Sequence, residues 1–289
     1  VKALLFPGQG SQKVGMGAEL ARGDARARAV FDEADVVLGE PLSRLMFEGP
    51  EGELTLTRNA QPAILVHGIA TLRTLDVDFA FVAGHSLGEW TALVAAGAID
   101  LADAVRLVRL RGQAMQEAVP AGRGAMAALI GLDAAAVDAL CAEAAQGEIV
   151  SAANHNGAGQ IVIAGHAAAV ERAIGLARKR GARRAVPLAV SAPFHSALMA
   201  PAAERLRAAL AEVGFRDPRV PVVSNVDARP NASGARAKEL IVQQVTAPVL
   251  WEECVRTLAR EGVRAAVEVG VGTVLGNLVK RIAPEIEVG

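Results

Sequence analysis

Tyrosine is missing from this 289-residue sequence, and aromatic residues of all kinds make up only 3% of it, seven Phe and two Trp. A core must then come from Ala, Val, Leu and Ile, and no phenol is available as a base or as an oxyanion donor. Cysteine is scarce too. Cys141 and Cys254 lie far apart, with no Cys-x-x-Cys and no Cys/His spacing, which supports neither a disulfide framework nor a zinc site. Long apolar runs are also lacking: stretches such as Trp90 to Ile99 stop at about ten residues, where a spanning helix needs about twenty. Nor does either sign of charge dominate. Thirty Lys plus Arg against 31 Asp plus Glu leave a formal charge of −1, so no global field draws the chain onto nucleic acid or acidic membrane. Val1 to Gly8 holds an apolar run too short for a signal peptide, and a cytoplasmic protein is expected.

What is present is a chain 52% hydrophobic, with ample length to bury a core. Short apolar runs alternate with amphipathic stretches, the pattern of an α/β protein with a mainly parallel sheet. Strands are expected at Lys2 to Phe6, Ala80 to Gly84, Val220 to Val226 and Arg264 to Val269. Helices are expected at Ala25 to Leu38, Pro62 to Leu75, Leu87 to Ala98, Leu101 to Ala118, Ala197 to Val213, Ala235 to Val245, Trp251 to Glu261 and Thr273 to Arg281.

The middle reads differently. Strands at Ala125 to Ile130, Ile149 to Ala153, Gln160 to Ala164 and Ala185 to Val190, with helices at Asp133 to Ala145 and Ala167 to Arg180, give the order β-α-β-β-α-β. That is the ferredoxin-like unit, with crossings at Gly122 to Gly124 and Ser191 to Pro193. A large domain of residues 1–123 and 192–289 with an inserted subdomain of residues 124–191 is therefore expected.

The strongest local signal is Gly84-His85-Ser86-Leu87-Gly88-Glu89, set between an apolar run and a helical one. It is a G-x-S-x-G nucleophile elbow in the context such an elbow requires. The glycines allow a sharp strand-to-helix turn that lifts the Ser86 hydroxyl above the sheet. The helix start, beginning at Leu87, offers free N–H groups and a dipole that favours an oxyanion.

Serine needs a base, and the histidines are His67, His85, His155, His166 and His195. His195 is the best placed, in a loop between the last inserted strand and a helix. His67 reads as packed in an apolar helix, His166 as a helix start, and His155 as a turn residue between two asparagines. His85 adjoins the nucleophile and is expected to support the loop or touch substrate. No Asp or Glu stands out as the acid of a serine hydrolase triad, though a main-chain carbonyl can hold the imidazole Nδ1–H. In the loop after the first strand, Phe6-Pro7-Gly8-Gln9-Gly10-Ser11-Gln12, Gln9 is the natural source of a second oxyanion N–H. Arg111, read from the residues alone, is an ordinary solvated helix arginine.

Together these motifs resemble the acyltransferase family of fatty acid and polyketide synthesis, its malonyl-CoA:acyl-carrier-protein transacylases in particular. The resemblance runs end to end through Asn59 to Pro62, Arg111-Gly112, Gly124 to Ala127, Asn154 to Asn156, Gly159-Gln160, Pro193 to Ser196, Ser224 to Val226, Gln244 to Pro248 and Glu268 to Gly270. It implies an α/β-hydrolase-like large domain with a ferredoxin-like insert. Ser86 would carry the acyl group, His195 would be its base, and Gln9 and Leu87 would be the oxyanion donors. The Gln244 main-chain carbonyl would orient His195, and Arg111 would pair with the malonyl carboxylate. His85, Met115, Phe194 and Asn154 would contact substrate, Phe194 leaving no room for an α-methyl group.

The implied chemistry is ping-pong transfer from malonyl-CoA to the phosphopantetheine thiol of acyl carrier protein, by a monomer needing no metal or cofactor. A serine esterase or thioesterase is disfavoured by the missing acid and by Arg111. A non-catalytic carrier-binding module is disfavoured by the intact constellation. Service to a polyketide synthase or a malonate decarboxylase stays open. The basic cluster Arg178, Lys179, Arg180, Arg183 and Arg184 is either a solvated helix end or a docking surface.

Overall fold

The computed structural model describes residues 1–190 and 192–289. Ser191, expected at the crossing out of the insert, lies outside the described residues. The chain opens with β1 (Lys2–Phe6), followed by helices α1 (Ala18–Gly23), α2 (Ala25–Leu38), α3 (Leu42–Glu48), α4 (Glu51–Thr55) and α5 (Thr57–Thr74). Next come β2 (Phe81–Gly84), α6 (Leu87–Ala95) and α7 (Leu101–Glu117). The middle is β3 (Gly124–Ile130), α8 (Ala134–Ala145), β4 (Val150–Gly157), β5 (Gln160–His166), α9 (Ala167–Lys179) and β6 (Arg184–Pro187). A short 3-10 turn, Ala197–Met199, then leads to α10 (Ala200–Leu210), β7 (Val222–Val223), β8 (Pro230–Asn231) and α11 (Gly234–Gln243). The chain ends with α12 (Trp251–Arg260), β9 (Ala265–Glu268), α13 (Val274–Ile282) and β10 (Glu287–Val288).

Two sheets result. The larger has the order β10-β9-β1-β2-β7-β8 and is parallel except for β8. Alternation along β1 sends Leu4 and Phe6 to one face and Ala3 and Leu5 to the other, and each face has its own core. Burial on both faces is why these strands read as continuous apolar runs. The second sheet, β4-β5-β3-β6, is antiparallel throughout, the ferredoxin-like order expected for the insert. One of its faces packs α8 and α9, while Met126, Ala128, Ala153, Val162 and Ala164 join the core of the larger sheet. Among the described residues no helix is long and apolar enough to cross a membrane.

Several expected boundaries move, each for a local reason. Pro62 is not the first residue of its helix. Main-chain bonds from Asn59 and Ala60 N–H to Leu56 O start α5 earlier, with Pro62 inside it. The expected strand Val220 to Val226 shrinks to two residues, because Pro221 cannot donate and the chain turns at Ser224, with Ala228 N–H donating to Ser224 O at 3.0 Å. The last inserted strand ends at Pro187, a residue tolerated because β6 is a sheet edge. His155 lies within β4, not in a turn. The short helices α1, α3 and α4 and the strands β8 and β10 were not expected.

Candidate active site

Phe6 and Gly84 end neighbouring parallel strands, and the chain turns from Gly84 into α6 across Ser86. Two close approaches make the turn. A Cβ on Gly84 would sit 2.0 Å from Gly88 main-chain atoms, and one on Gly88 would sit 2.0 Å from Phe6 O. Only glycine fits at either position. Ser86 pays with a φ of 51°, in the left-handed region, and heads the helix with its hydroxyl outward. Its own N–H is taken by Asn225 Oδ1 at 2.7 Å, and Asn225 Nδ2 donates to Gly84 O at 2.8 Å. The Ser224 turn that shortened β7 is thus what delivers Asn225 beneath the elbow.

His195 arrives on the loop before the 3-10 turn, also at positive φ, 57°. The Ser86 hydroxyl donates to His195 Nε2 at 2.7 Å, and His195 Nδ1–H donates to the Gln244 main-chain carbonyl at 2.8 Å. Because a carbonyl can only accept, the proton must sit on Nδ1, leaving Nε2 bare to receive one. Burial, then the nearby Arg111 charge, lowers the His195 pKa to about 3. The imidazole is accordingly neutral and proton-accepting at any ordinary pH.

Arg111 is buried at 2% exposure, so the solvated reading of it fails. It comes forward on α7, where Gly112 lets the helix press against α5: a Cβ there would meet Thr57 O at 2.6 Å. Its Nη1 donates to Gln61 Oε1 at 2.7 Å, and its Nη2 to Gln244 Oε1 at 3.0 Å and Ser86 Oγ at 3.2 Å. Burial lowers its pKa to about 10, which leaves it cationic at neutral pH. Another buried ionisable group lies behind the elbow. Glu89 Oε2 accepts from Asn225 N–H at 3.0 Å and Gln244 Nε2 at 2.7 Å, and burial raises its pKa to about 7.

A cavity of about 400 Å³ opens over Ser86. Every candidate residue lines it except Gln244, which is fully buried behind it. Leu87 is the first residue of α6. Gln9, exposed at the rim, donates from Nε2 to Thr57 Oγ1 at 3.1 Å. The imidazole of His85 leans on Trp251, its Nε2–H donates to Asn156 Oδ1 at 2.8 Å, and burial lowers its pKa. Met115 receives Gln61 Nε2 at its sulfur, 3.7 Å away. Phe194, Asn154 and Met115 make the buried wall, and Leu188 and Val190 are exposed near the mouth.

Of the basic cluster on the insert, Arg178 is turned to Ala185 O at 3.0 Å and Arg180 pairs with Glu143. The remaining histidines have bland surroundings. His67 is half-buried beside Thr71, with its pKa lowered by burial, and His166 Nδ1 accepts Ile149 N–H at 2.9 Å. Gln61, Glu89 and Asn225 carry no role expected from the sequence, although each stands in a stretch that bears the family resemblance.

A serine facing a neutral histidine that a main-chain carbonyl orients where a triad acid would stand, with a buried arginine beside the hydroxyl, is an arrangement that can form an acyl-serine. Residues 3–285 match the acyl transferase domain. The chain belongs to that family. Malonyl CoA-acyl carrier protein transacylase of Escherichia coli K12 is 50% identical over 284 residues, 97% of this chain and 92% of that one. The acyl carrier protein S-malonyltransferase of Vibrio cholerae superposes with a TM-score of 0.97 at 48% identity, covering 99% of this chain and 95% of that one. A malonyl-transacylase solved in complex with its type II polyketide synthase acyl carrier protein gives a TM-score of 0.96 at 47% identity, covering 99% and 94%. Like these acyl transferases, the chain joins a parallel sheet bearing a nucleophile elbow to a separate antiparallel sheet.

Proposed function

We infer that this acyl transferase moves a malonyl group from malonyl-CoA to the phosphopantetheine thiol of acyl carrier protein through a malonyl-serine intermediate, supplying extender units for fatty acid synthesis. The observation that carries this reading is the position of Ser86 Oγ, 2.7 Å from His195 Nε2 and 3.2 Å from the buried guanidinium of Arg111. A base and a carboxylate-binding fork converge on one hydroxyl.

The malonyl carboxylate pairs with Arg111, which presents its thioester carbonyl to Ser86. His195 Nε2 takes the hydroxyl proton as Oγ attacks, and the carbonyl oxygen accepts the N–H groups of Gln9 and Leu87. The coenzyme A sulfur leaves with the proton from Nε2. The carrier-protein thiol then reverses the sequence on the acyl-enzyme, giving its proton to His195 as sulfur attacks. The Gln244 carbonyl holds the imidazole throughout, and none of these steps calls for a metal or a redox cofactor. Phe194 and Met115 bound the acyl group, while His85 and Asn154 flank it.

Residues 1–123 and 192–289 form the catalytic domain in this reading, and 124–191 the inserted subdomain. The enzyme works as a cytoplasmic monomer with coenzyme A thioesters and a carrier protein as partners. Malonyl-CoA alone should add one malonyl mass to the intact protein, and Ser86→Ala should remove it. Carrier protein added afterwards should discharge the adduct, and comparing fatty-acid with polyketide carrier proteins sets the pathway. A wild-type protein that acquires no adduct would overturn the reading.

A further inference from the structure

Arg111 is a buried cation with no carboxylate at ion-pair distance among the described residues; its direct acceptors are the neutral oxygens of Gln61, Gln244 and Ser86. Its Nε is buried with no hydrogen-bond partner among the described residues. Nε and Nη2 form one edge of the guanidinium, the edge suited to a bidentate carboxylate. Half of that edge is spent on the nucleophile.

We propose that Arg111 restrains Ser86 until the carboxylate of the acyl donor draws the guanidinium off Oγ, so that acyl groups lacking a carboxylate are refused in the rate of acylation and not in binding alone. The proposal rests on the transferase reading given above.

The electron balance of the step explains the restraint. An Oγ lone pair forms the bond to carbon, the hydroxyl proton passes to His195 Nε2, and the carbonyl π pair moves onto its oxygen. The C–S bond then breaks, and the Nε2 proton goes to sulfur. At the tetrahedral stage Oγ has given up its lone pair and the negative charge lies on the carbonyl oxygen, while the imidazolium remains. A cation donating to Oγ therefore stabilises the state before attack and opposes the charge that persists after it. The same guanidinium is the second cause, after burial, of the low proton affinity of His195. A substrate carboxylate on Arg111 cancels both effects at once.

The test uses a neutral serine reagent. Phenylmethanesulfonyl fluoride forms an Oγ–S bond as fluoride leaves and His195 takes the hydroxyl proton. Sodium formate, which can occupy the place of the missing carboxylate, should accelerate this inactivation of the wild-type enzyme about tenfold. Sodium chloride at the same ionic strength should not. Formate should likewise speed acetylation of Ser86 by acetyl-CoA, followed by intact mass. Arg111→Met should react quickly without formate and ignore it. Wild-type rates that formate leaves unchanged or slows would overturn the proposal, as would an Arg111→Met variant that still responds. The formate comparison stands on the wild-type enzyme alone, whatever the variant's stability. A wild-type protein that loads malonyl yet ignores formate refutes the restraint only, whereas one that loads no malonyl refutes the transferase reading itself.

Discussion

The side-chain amide of Gln244 donates to the carboxylate of Glu89 at 2.7 Å, and both residues are buried. Gln244 also meets His195 through its main chain and Arg111 through Oε1, so Glu89 stands behind both without touching either. It fixes which way the amide points. Glu89→Ala should leave the N–H groups of Asn225 and Gln244 without their acceptor, each at a cost of about 1–3 kcal/mol. Glu89→Gln keeps an oxygen in place and should lose far less. Urea denaturation and malonyl loading on both variants check this, and equal losses would show that the acceptor is not what matters.

Glu89 also gives stability a pH dependence. In the fold its pKa is raised from 4.5 to about 7, so between those values the folded protein holds a proton that the unfolded chain has released. The contribution is complete below 4.5 and is lost as pH rises through about 7. His195 runs the other way: lowered from 6.5 to about 3, it contributes fully above 6.5 and loses that contribution as pH falls. The two oppose each other over the shared window, so the comparison must be wild type against Glu89→Gln, in which His195 is common. The wild-type advantage in denaturation midpoint should shrink as pH rises through the Glu89 window; a constant difference would count against a titrating Glu89.

Gln61 Oε1 holds Arg111 Nη1 at 2.7 Å inside the pocket. Gln61→Glu keeps the geometry and adds a charge that satisfies the guanidinium before substrate arrives. The malonyl carboxylate would then meet a neutralised site and a like charge. The ratio of kcat/KM for malonyl-CoA over acetyl-CoA should fall by about tenfold or more, a change of roughly 1.4 kcal/mol. An unchanged ratio in steady-state kinetics would mean that the carboxylate binds elsewhere.

Gly88→Ala places a Cβ 2.0 Å from Phe6 O and 3.0 Å from Pro7 O, main-chain atoms that cannot turn aside. The elbow and the loop carrying Gln9 would be forced apart, with destabilisation of about 3 kcal/mol or more and loss of acyl loading. Gly175→Ala, inside α9 with nothing within 4 Å of its Cβ, should instead stabilise by about 0.5–1 kcal/mol. Thermal denaturation of the pair separates steric exclusion from a general intolerance of alanine.

The inserted β-α-β-β-α-β order was legible because its helices and strands are long enough to show their periodicity. Before Thr57, α2 was legible over its 14 residues, whereas α1, α3 and α4 were not: glycines and prolines such as Gly17, Gly39, Pro41, Gly49 and Pro50 bound pieces of seven residues or fewer, too short to register a period. Val220 to Val226 read as a strand by composition, while the tertiary role of Asn225 bent it away. The site divides in the same manner. Ser86 is announced by the glycines around it, and His195 by its loop. Glu89 and Gln61 carry no local mark, because a buried polar residue on an apolar helix is explained only by partners such as Gln244, 155 positions on from Glu89, or Arg111, 50 positions on from Gln61.

β4 does more than line the pocket through Asn154. Val249 N–H donates to Ala153 O, and His155 N–H donates to Val249 O, both at 2.9 Å, stitching the edge of the small sheet to the segment just after Gln244. On the same strand, a Cβ at Gly157 would strike Ile282 of α13 at 2.6 Å. The inserted sheet is riveted along this edge and cannot swing as a jaw over the acyl group without tearing main-chain hydrogen bonds. The cavity over Ser86 is therefore bounded on the β4 side by a wall already standing, while Gln9 and the Leu188 to Val190 segment meet solvent at its rim.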